Sequence, residues 1–189
     1  ASTSEIGHAK NVANFQDLIE FVTAYGATYN PSKNSLKLPQ LIALKASADA
    51  TLADVITKNT NYNNKVNERI TAFSGLKSLS TRLVNALQTT DATDQIIKDA
   101  KGFNKKMQGQ RASATATPTD PNTPAPNTIS TSQQSYDQLI QHLAGLTSIL
   151  EAETSYTPNE TELQVATLQT KIADLTAKNT AVATAYASI

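Results

Sequence analysis

The chain has no cysteine and no tryptophan, and it is poor in glycine and in aromatic residues. Without cysteine there is no disulfide, no thiolate-bound metal and no cysteine nucleophile. Six glycines and 5% aromatic residues argue against phosphate-cradling loops and against large pockets lined by rings. The two histidines, His8 and His142, are too few for a typical zinc or catalytic cluster. We therefore expect no enzyme, no cofactor, no metal ion and no small-molecule substrate.

Charge is balanced, with 16 basic and 16 acidic side chains and a formal net charge of zero. No long-range field attracts the whole molecule to nucleic acid, which is therefore not an expected partner. One stretch is nevertheless basic, and its possible phosphate contacts are Lys98, Lys101, Lys105, Lys106 and Arg111. Phe103 within this stretch could stack on a base. The same cations also suit the end of a helix, where they interact favourably with the helix dipole.

Long apolar runs are also missing. No stretch of about 18 apolar residues occurs, so no membrane-spanning helix is expected. The N-terminal stretch lacks the charged and then apolar pattern of a signal peptide, which favours a cytoplasmic location and leaves a secreted one open. The chain stops on an apolar position without a helix-capping signal, and we expect the native protein to continue beyond Ile189.

Residues 111–134 hold four prolines among Thr, Ser, Ala and Asn. Proline removes backbone donors, and the short polar side chains compete for the backbone, so this composition predicts an extended linker. It divides the chain into a first helical repeat (1–110), the linker, and a second helical repeat (135–189) that is truncated at its C-terminus.

Apolar side chains at spacings of three and four predict an all-α protein, with long antiparallel helices in a bundle. The first helix should begin at an Asn14 cap and end at Gly26. Its apolar residues fall at spacings of three and four, which predicts one buried face with Phe15, Leu18, Ile19, Val22 and Tyr25. A long second helix should run from Pro39 to Phe73 and break at Gly75.

Helix signals return after the linker. Ser135 followed by Gln138 predicts a capped helix start. Thr157, Pro158 and Glu160 form a cap, a first-turn proline and a first-turn acid, which predict the start of another helix.

Two of the helices carry a heptad pattern, typical of a helix that packs along another helix. We expect helix contacts at the seam residues Leu52, Val55, Asn59, Tyr62, Val66, Leu168, Ile172, Leu175, Asn179, Val182 and Tyr186. Asn59 and Asn179 occupy the same seam position, where a polar residue sets the register. The partner helix can belong to the same chain, as a bundle core, or to another chain, in which case part of a seam is open in the monomer.

Nearly the same eight residues occur twice, as "ADVITKNT" from Ala53 and "ADLTAKNT" from Ala173, 120 positions apart. Pro39 and Pro158 are 119 apart, and the similar "YNP" and "YTP" motifs are 127 apart. We take the offset near 120 as a tandem repeat of a helical hairpin, and the 127-residue match as turn chemistry.

The stretches "IGHAKNVANF", "YGATYNPSK", "STRLVNAL" and "DAKGFNKKMQG" resemble segments of a family of small helical proteins of unknown function from the Bacteroidota. The resemblance covers the first half of the chain and, more loosely, the second. It implies an all-helical fold and a longer C-terminus, with no known activity, catalytic residue or cofactor.

Three classes of function stay open. The absence of site chemistry and the long seams favour a non-enzymatic structural or assembly protein, with protein partners and homo-oligomers expected. The alternatives are a nucleic-acid-associated protein that uses the basic stretch, and a carrier of apolar ligands within the bundle.

Overall fold

The structure is a computed structural model that describes residues 7–110 and 134–189. These residues are helical and include no strand. The α-helices are α1 (His8–Tyr25), α2 (Leu38–Phe73), α3 (Leu76–Leu87), α4 (Asp94–Gln108), α5 (Tyr136–Ala152) and α6 (Val165–Ala187). The predicted all-α class is confirmed. The predicted linker (111–134) lies outside the described residues except for Gln134.

Most helix ends follow from local chemistry. Gly26 ends α1 and Gly75 separates α2 from α3, both with positive φ angles (56° and 78°), which glycine adopts without a Cβ penalty. The Thr93 hydroxyl accepts from the backbone N–H of Ile96 and caps α4. The predicted Ser135 cap is confirmed, because its hydroxyl accepts from the backbone N–H of Gln138.

Two helix starts were predicted wrongly. The helix α1 begins at His8, so Asn14 lies inside the helix and not at its cap. The helix α6 begins at Val165 and not beside Pro158, because the intervening chain forms a separate 3₁₀ turn, Thr161–Leu163. Tyr156 holds that turn by donating its hydroxyl to the Leu163 carbonyl. Proline chemistry alone therefore did not decide where the helix starts.

The described residues divide into two compact units. The first unit contains those up to Asn63 together with Ala185–Ile189, and the second contains those within Asn64–Thr184. The helices α3 and α4 precede the predicted linker, yet they share a unit and a core with α5, which follows it.

The second unit has a large apolar core drawn from α2 to α6. Its buried side chains are Phe73, Leu76, Leu83, Val84, Leu87, Ala100, Met107, Ile140, Leu143, Leu146, Leu150, Tyr156, Leu163, Leu168 and Leu175. The first unit has a much smaller core, with Ile19, Val22 and Leu41 buried where α1 meets α2.

One turn occurs twice in the chain. Tyr29 donates its hydroxyl to the Leu36 carbonyl (2.6 Å), and Tyr156 donates to the Leu163 carbonyl (2.8 Å). Each accepting leucine ends a 3₁₀ turn, and a long helix begins two residues later. These matching positions are 127 residues apart. The "YNP" and "YTP" motifs, whose 127-residue spacing we took as turn chemistry, thus introduce the same turn in both places.

Candidate functional site

The predicted seam on α6 lies largely inside the protein. Leu168, Leu175 and Val182 are buried. Ile172 and Asn179 are half-buried. These residues belong to the second unit, and Leu168 and Leu175 are part of its core. For this stretch, the interpretation as an internal packing seam fits.

The predicted seam on α2 is more open. Leu52, Tyr62 and Val66 are half-buried, whereas Val55 and Asn59 are exposed. The seam on α2 is therefore not continuously buried within the chain, because these two positions are exposed. In the first unit, Tyr62 contacts Tyr186, with ring centroids 5.7 Å apart, and the ring of Tyr186 is otherwise exposed.

Asn179 is the polar seam residue with a defined role. Its side-chain oxygen accepts from Arg69 Nη1 (2.9 Å), and its nitrogen donates to Asp137 Oδ1 (2.8 Å). The Arg69 guanidinium lies 4.1 Å from the centre of the Tyr136 ring, a cation–π contact. Asn179 thus joins α2, α5 and α6 within the second unit, whereas Asn59, its predicted equivalent, is exposed.

A second polar contact lies beside this network. Lys65 and Lys178 both donate to the Glu68 carboxylate, at 2.9 and 3.2 Å. The hydrogen bond from Lys65, and then that from Lys178, lowers the pKa of Glu68. Both lysines favour the ionised carboxylate, which suits a link between helices better than proton transfer near neutral pH.

The four described basic residues of the predicted phosphate-binding stretch are exposed on α4, and Arg111 lies outside the described residues. Lys98, Lys101 and Lys105 share a helix face because of their spacing. Phe103 is not free to stack on a base, because its ring lies against Gly145 of α5. The ammonium group of Lys106 also lies over this ring, 5.3 Å from its centre. That part of the nucleic-acid hypothesis is corrected.

A polar cleft of about 530 Å³ lies in the second unit, between α3 and the connector that precedes α6. Arg82 on its wall forms an ion pair with Glu162, and the hydrogen bond from Arg82 lowers the pKa of Glu162. Ser155 on the same wall donates to Glu153 and accepts from the Asp91 backbone. These groups bind one another, and the Thr, Asn and Ser lining does not match the apolar ligands of the carrier hypothesis.

Raising the pH above 10 is expected to destabilise the second unit through Tyr156, which lines this cleft. Burial raises the pKa of its phenol from 10 to about 12, and the charge of Glu160 adds to the effect. The folded protein then holds a proton that the unfolded chain releases, so a stabilisation that is complete below pH 10 is lost as the pH approaches 12. Urea denaturation at a series of pH values, with Tyr156→Phe as reference, measures the loss.

The control is Tyr29→Phe, which removes the equivalent hydroxyl from an exposed hydrogen bond. Loss of the buried Tyr156 bond should cost about 1 kcal/mol at neutral pH, and loss of the Tyr29 bond should cost less. A stability difference between the protein and Tyr156→Phe that stays constant from pH 9 to pH 12 would contradict the expected linkage.

Exposed apolar side chains are concentrated in the first unit. Among the described residues, every large hydrophobic side chain with high exposure lies there except Ile70. On α1 the exposed fractions are 49% for Leu18, 64% for Phe21 and 62% for Tyr25. Their spacing of three and four puts them on one face of the helix. We call these three residues the α1 stripe.

The sequence analysis did not identify the α1 stripe as a surface. Leu18 and Tyr25 were assigned to the buried face of the first helix, together with Ile19 and Val22. The sequence does contain a signal for two adjacent apolar faces, because Ile19 directly follows Leu18 and Val22 directly follows Phe21. One face packs on α2 and the other is left exposed.

Among residues 7–110 and 134–189, no group of three or more His, Asp or Glu side chains is arranged to hold a metal ion. None of the helices in that part of the chain is both long and apolar enough to cross a bilayer.

Comparison with known proteins returns no match, since no protein-family model, curated protein or solved structure is similar to the chain. Function is therefore inferred from the surfaces described above.

Proposed function

We propose that the protein is a structural or assembly protein that acts through helix-to-helix protein contacts and not through catalysis. The observation that carries this proposal is the concentration of exposed apolar side chains in the first unit. Soluble monomers rarely expose a contiguous apolar patch of more than a few hundred Å², and larger patches mark interaction sites. The α1 stripe is the surface through which we expect the contact.

The proposal includes an architecture of two related, antiparallel helical hairpins. One is α1 with α2, the other is α5 with α6, and the Pro/Thr/Ser-rich segment lies between them in the sequence. The repeated Tyr-to-carbonyl turn supports this relation. So does the burial of Ile19 and Leu41 in one hairpin and of Leu146 and Leu168 at the corresponding positions, each 127 residues later, in the other.

The two hairpins differ in what surrounds them. The second shares its core with α3 and α4, which makes it part of a helical bundle in this proposal. The first buries only Ile19, Val22 and Leu41 where its helices meet. A two-helix hairpin with so small a core gains stability when another helical surface covers it, because most helical stability comes from packing an apolar face.

A photo-crosslinking residue at position 21 tests the proposal. Benzoylphenylalanine in place of Phe21, in full-length protein produced in its source cells, is expected to yield covalent protein adducts on irradiation. The matched control is the same residue at Ser148, which is exposed on α5 and lies 127 positions later. Adducts are measured by gel electrophoresis and mass spectrometry. Adduct yields at position 21 no higher than those at position 148 would overturn the proposal.

A further inference from the structure

We infer that the partner of the α1 stripe is the same surface of a second copy of this chain, with the two first-unit hairpins paired across a twofold axis. This inference rests on the proposed function and names its partner. A twofold interface uses one patch twice, so the patch must be complementary to itself in shape, polarity and charge. Three features of the first unit meet these requirements.

The first feature is that the second hairpin is already packed against a further helix at one of the three positions that correspond to the stripe. Gly145 is the position that corresponds to Leu18, 127 residues later. A Cβ atom on Gly145 would lie 2.4 Å from the Phe103 ring of α4, so α5 is in close contact with another helix at this position, whereas Ser148 and Ala152, which correspond to Phe21 and Tyr25, are exposed. The turn leucines agree, since Leu163 is 5% exposed whereas Leu36 is 46% exposed.

The second hairpin thus packs against α4 at the position of Leu18, and it shares its core with α3 and α4. The first hairpin of a second copy offers the same number of helices, and two such hairpins complete a four-helix arrangement.

The second feature is the area of the apolar surface. With roughly 200 Å² for each large side chain, the exposed fractions give about 350 Å² for the α1 stripe. Leu36 and Leu44 of the same hairpin add about 200 Å². A stable interface buries roughly 800 Å² per partner, of which about 65% is apolar in homodimers. The exposed apolar surface of one hairpin is thus large enough for a dimer.

The third feature is the charge around the stripe. Asp17 lies four residues before Phe21 and so borders the stripe on α1, Glu20 lies one turn along the helix from Asp17, and Lys33 and Lys37 lie in the connector that follows α1. All four side chains are exposed, and none of them forms an ion pair within the described residues. If two α1 helices pair in opposite directions through the stripe, Asp17 of one copy approaches the lysines of the other. The hairpin is therefore complementary in charge to itself.

Sedimentation velocity on the purified full-length protein measures the association. We expect a reversible monomer–dimer equilibrium at micromolar concentrations. Phe21→Glu should raise the dimer dissociation constant by about 100-fold or more, because each substitution acts twice across the axis. Ser148→Glu is the matched control on α5 and should leave the dissociation constant unchanged. Circular dichroism confirms that both variants stay folded, as expected for substitutions at exposed positions. A protein that stays monomeric up to about 1 mM would overturn the inference.

The absence of native cysteine allows a geometric test. A residue near a twofold axis lies opposite its own copy, so Phe21→Cys should form disulfide-linked dimers on mild oxidation. A disulfide requires Cα atoms within about 7 Å, which random collisions seldom satisfy. Ser148→Cys is the control and should remain mostly monomeric. Equal dimer yields for the two variants would contradict the twofold pairing.

A charge exchange separates self-pairing from other contacts. One variant carries Asp17→Lys, and the other carries Lys33→Glu with Lys37→Glu. Each should associate at least tenfold more weakly with itself, whereas a mixture of the two should form heterodimers as tightly as the unmodified protein. A mixture that associates no better than either variant alone would overturn the inference.

Failure of this inference is distinguishable from failure of the proposed function. A monomeric purified protein that still forms adducts at position 21 with a different protein overturns self-pairing and leaves the proposed function standing. A protein with no adducts at position 21 and no dimer overturns both.

Discussion

Replacing Leu146 with alanine is expected to lower the free energy of unfolding by about 3 to 4 kcal/mol. Leu146 is fully buried in the core of the second unit, which draws side chains from α2 to α6. Removing its isobutyl group loses the transfer free energy of the buried carbons. It also leaves a cavity, because the several helices that surround the site cannot all move inward to fill the space. Urea denaturation followed by circular dichroism measures the loss.

The matched control is Ile19→Ala, at the corresponding position of the first hairpin. Ile19 is also buried, but its core contains only Val22 and Leu41 as further buried residues. Water can enter the space left by the side chain, and the surrounding groups can relax, so we expect a cost of only about 1 to 2 kcal/mol. Equal losses at the two positions would show that the hairpins have equivalent cores and would contradict this account.

Gly145→Ala is expected to destabilise the protein by about 1 to 3 kcal/mol, although alanine is the better helix former. The new Cβ atom would lie 2.4 Å from two atoms of the Phe103 ring, far inside van der Waals contact. The ring must move, or α4 and α5 must separate, and either change disturbs the packing of the second unit. Thermal and urea denaturation measure the effect.

Gly102→Ala provides the control of opposite sign. Gly102 also lies within a helix, α4, but nothing approaches its Cβ position within 4 Å. Alanine should therefore stabilise the protein by up to about 1 kcal/mol through helix propensity alone. Adding Phe103→Leu to Gly145→Ala should recover part of the loss, since the shorter side chain makes room. No recovery in the double variant would mean that the contact with Phe103 is not the cause.

Helix content and several helix ends could be predicted from the sequence because both depend on neighbours along the chain. Gly75 and Ser135 end or begin helices through positive φ and side-chain capping, and the structure confirms both. The start of α6 was missed because the Tyr156 hydroxyl bonds to a carbonyl seven residues later, which no capping pattern reveals.

The candidate surface could be predicted only in part. The heptad pattern identified apolar faces on α2 and α6, and the possibility of an open seam was part of the prediction. The heptad pattern could not distinguish Val55, which is exposed, from Leu175, which is fully buried. The α1 stripe was missed because Leu18 and Tyr25 fit the spacing of a buried helix face as well as Ile19 and Val22 do.

The sequence by itself determined the helical class, the exclusion of cysteine chemistry and the glycine-marked ends of α1 and α2. Each of these depends on side-chain identity or on interactions within a turn of helix. Only the tertiary structure decided which apolar faces are covered. Burial of a helix face depends on which other helices pack against it. Both α1 and α5 carry apolar side chains at helical spacing, so this pattern alone does not distinguish them. The α1 stripe is exposed and the apolar face of α5 is buried because only the latter is covered by neighbouring helices.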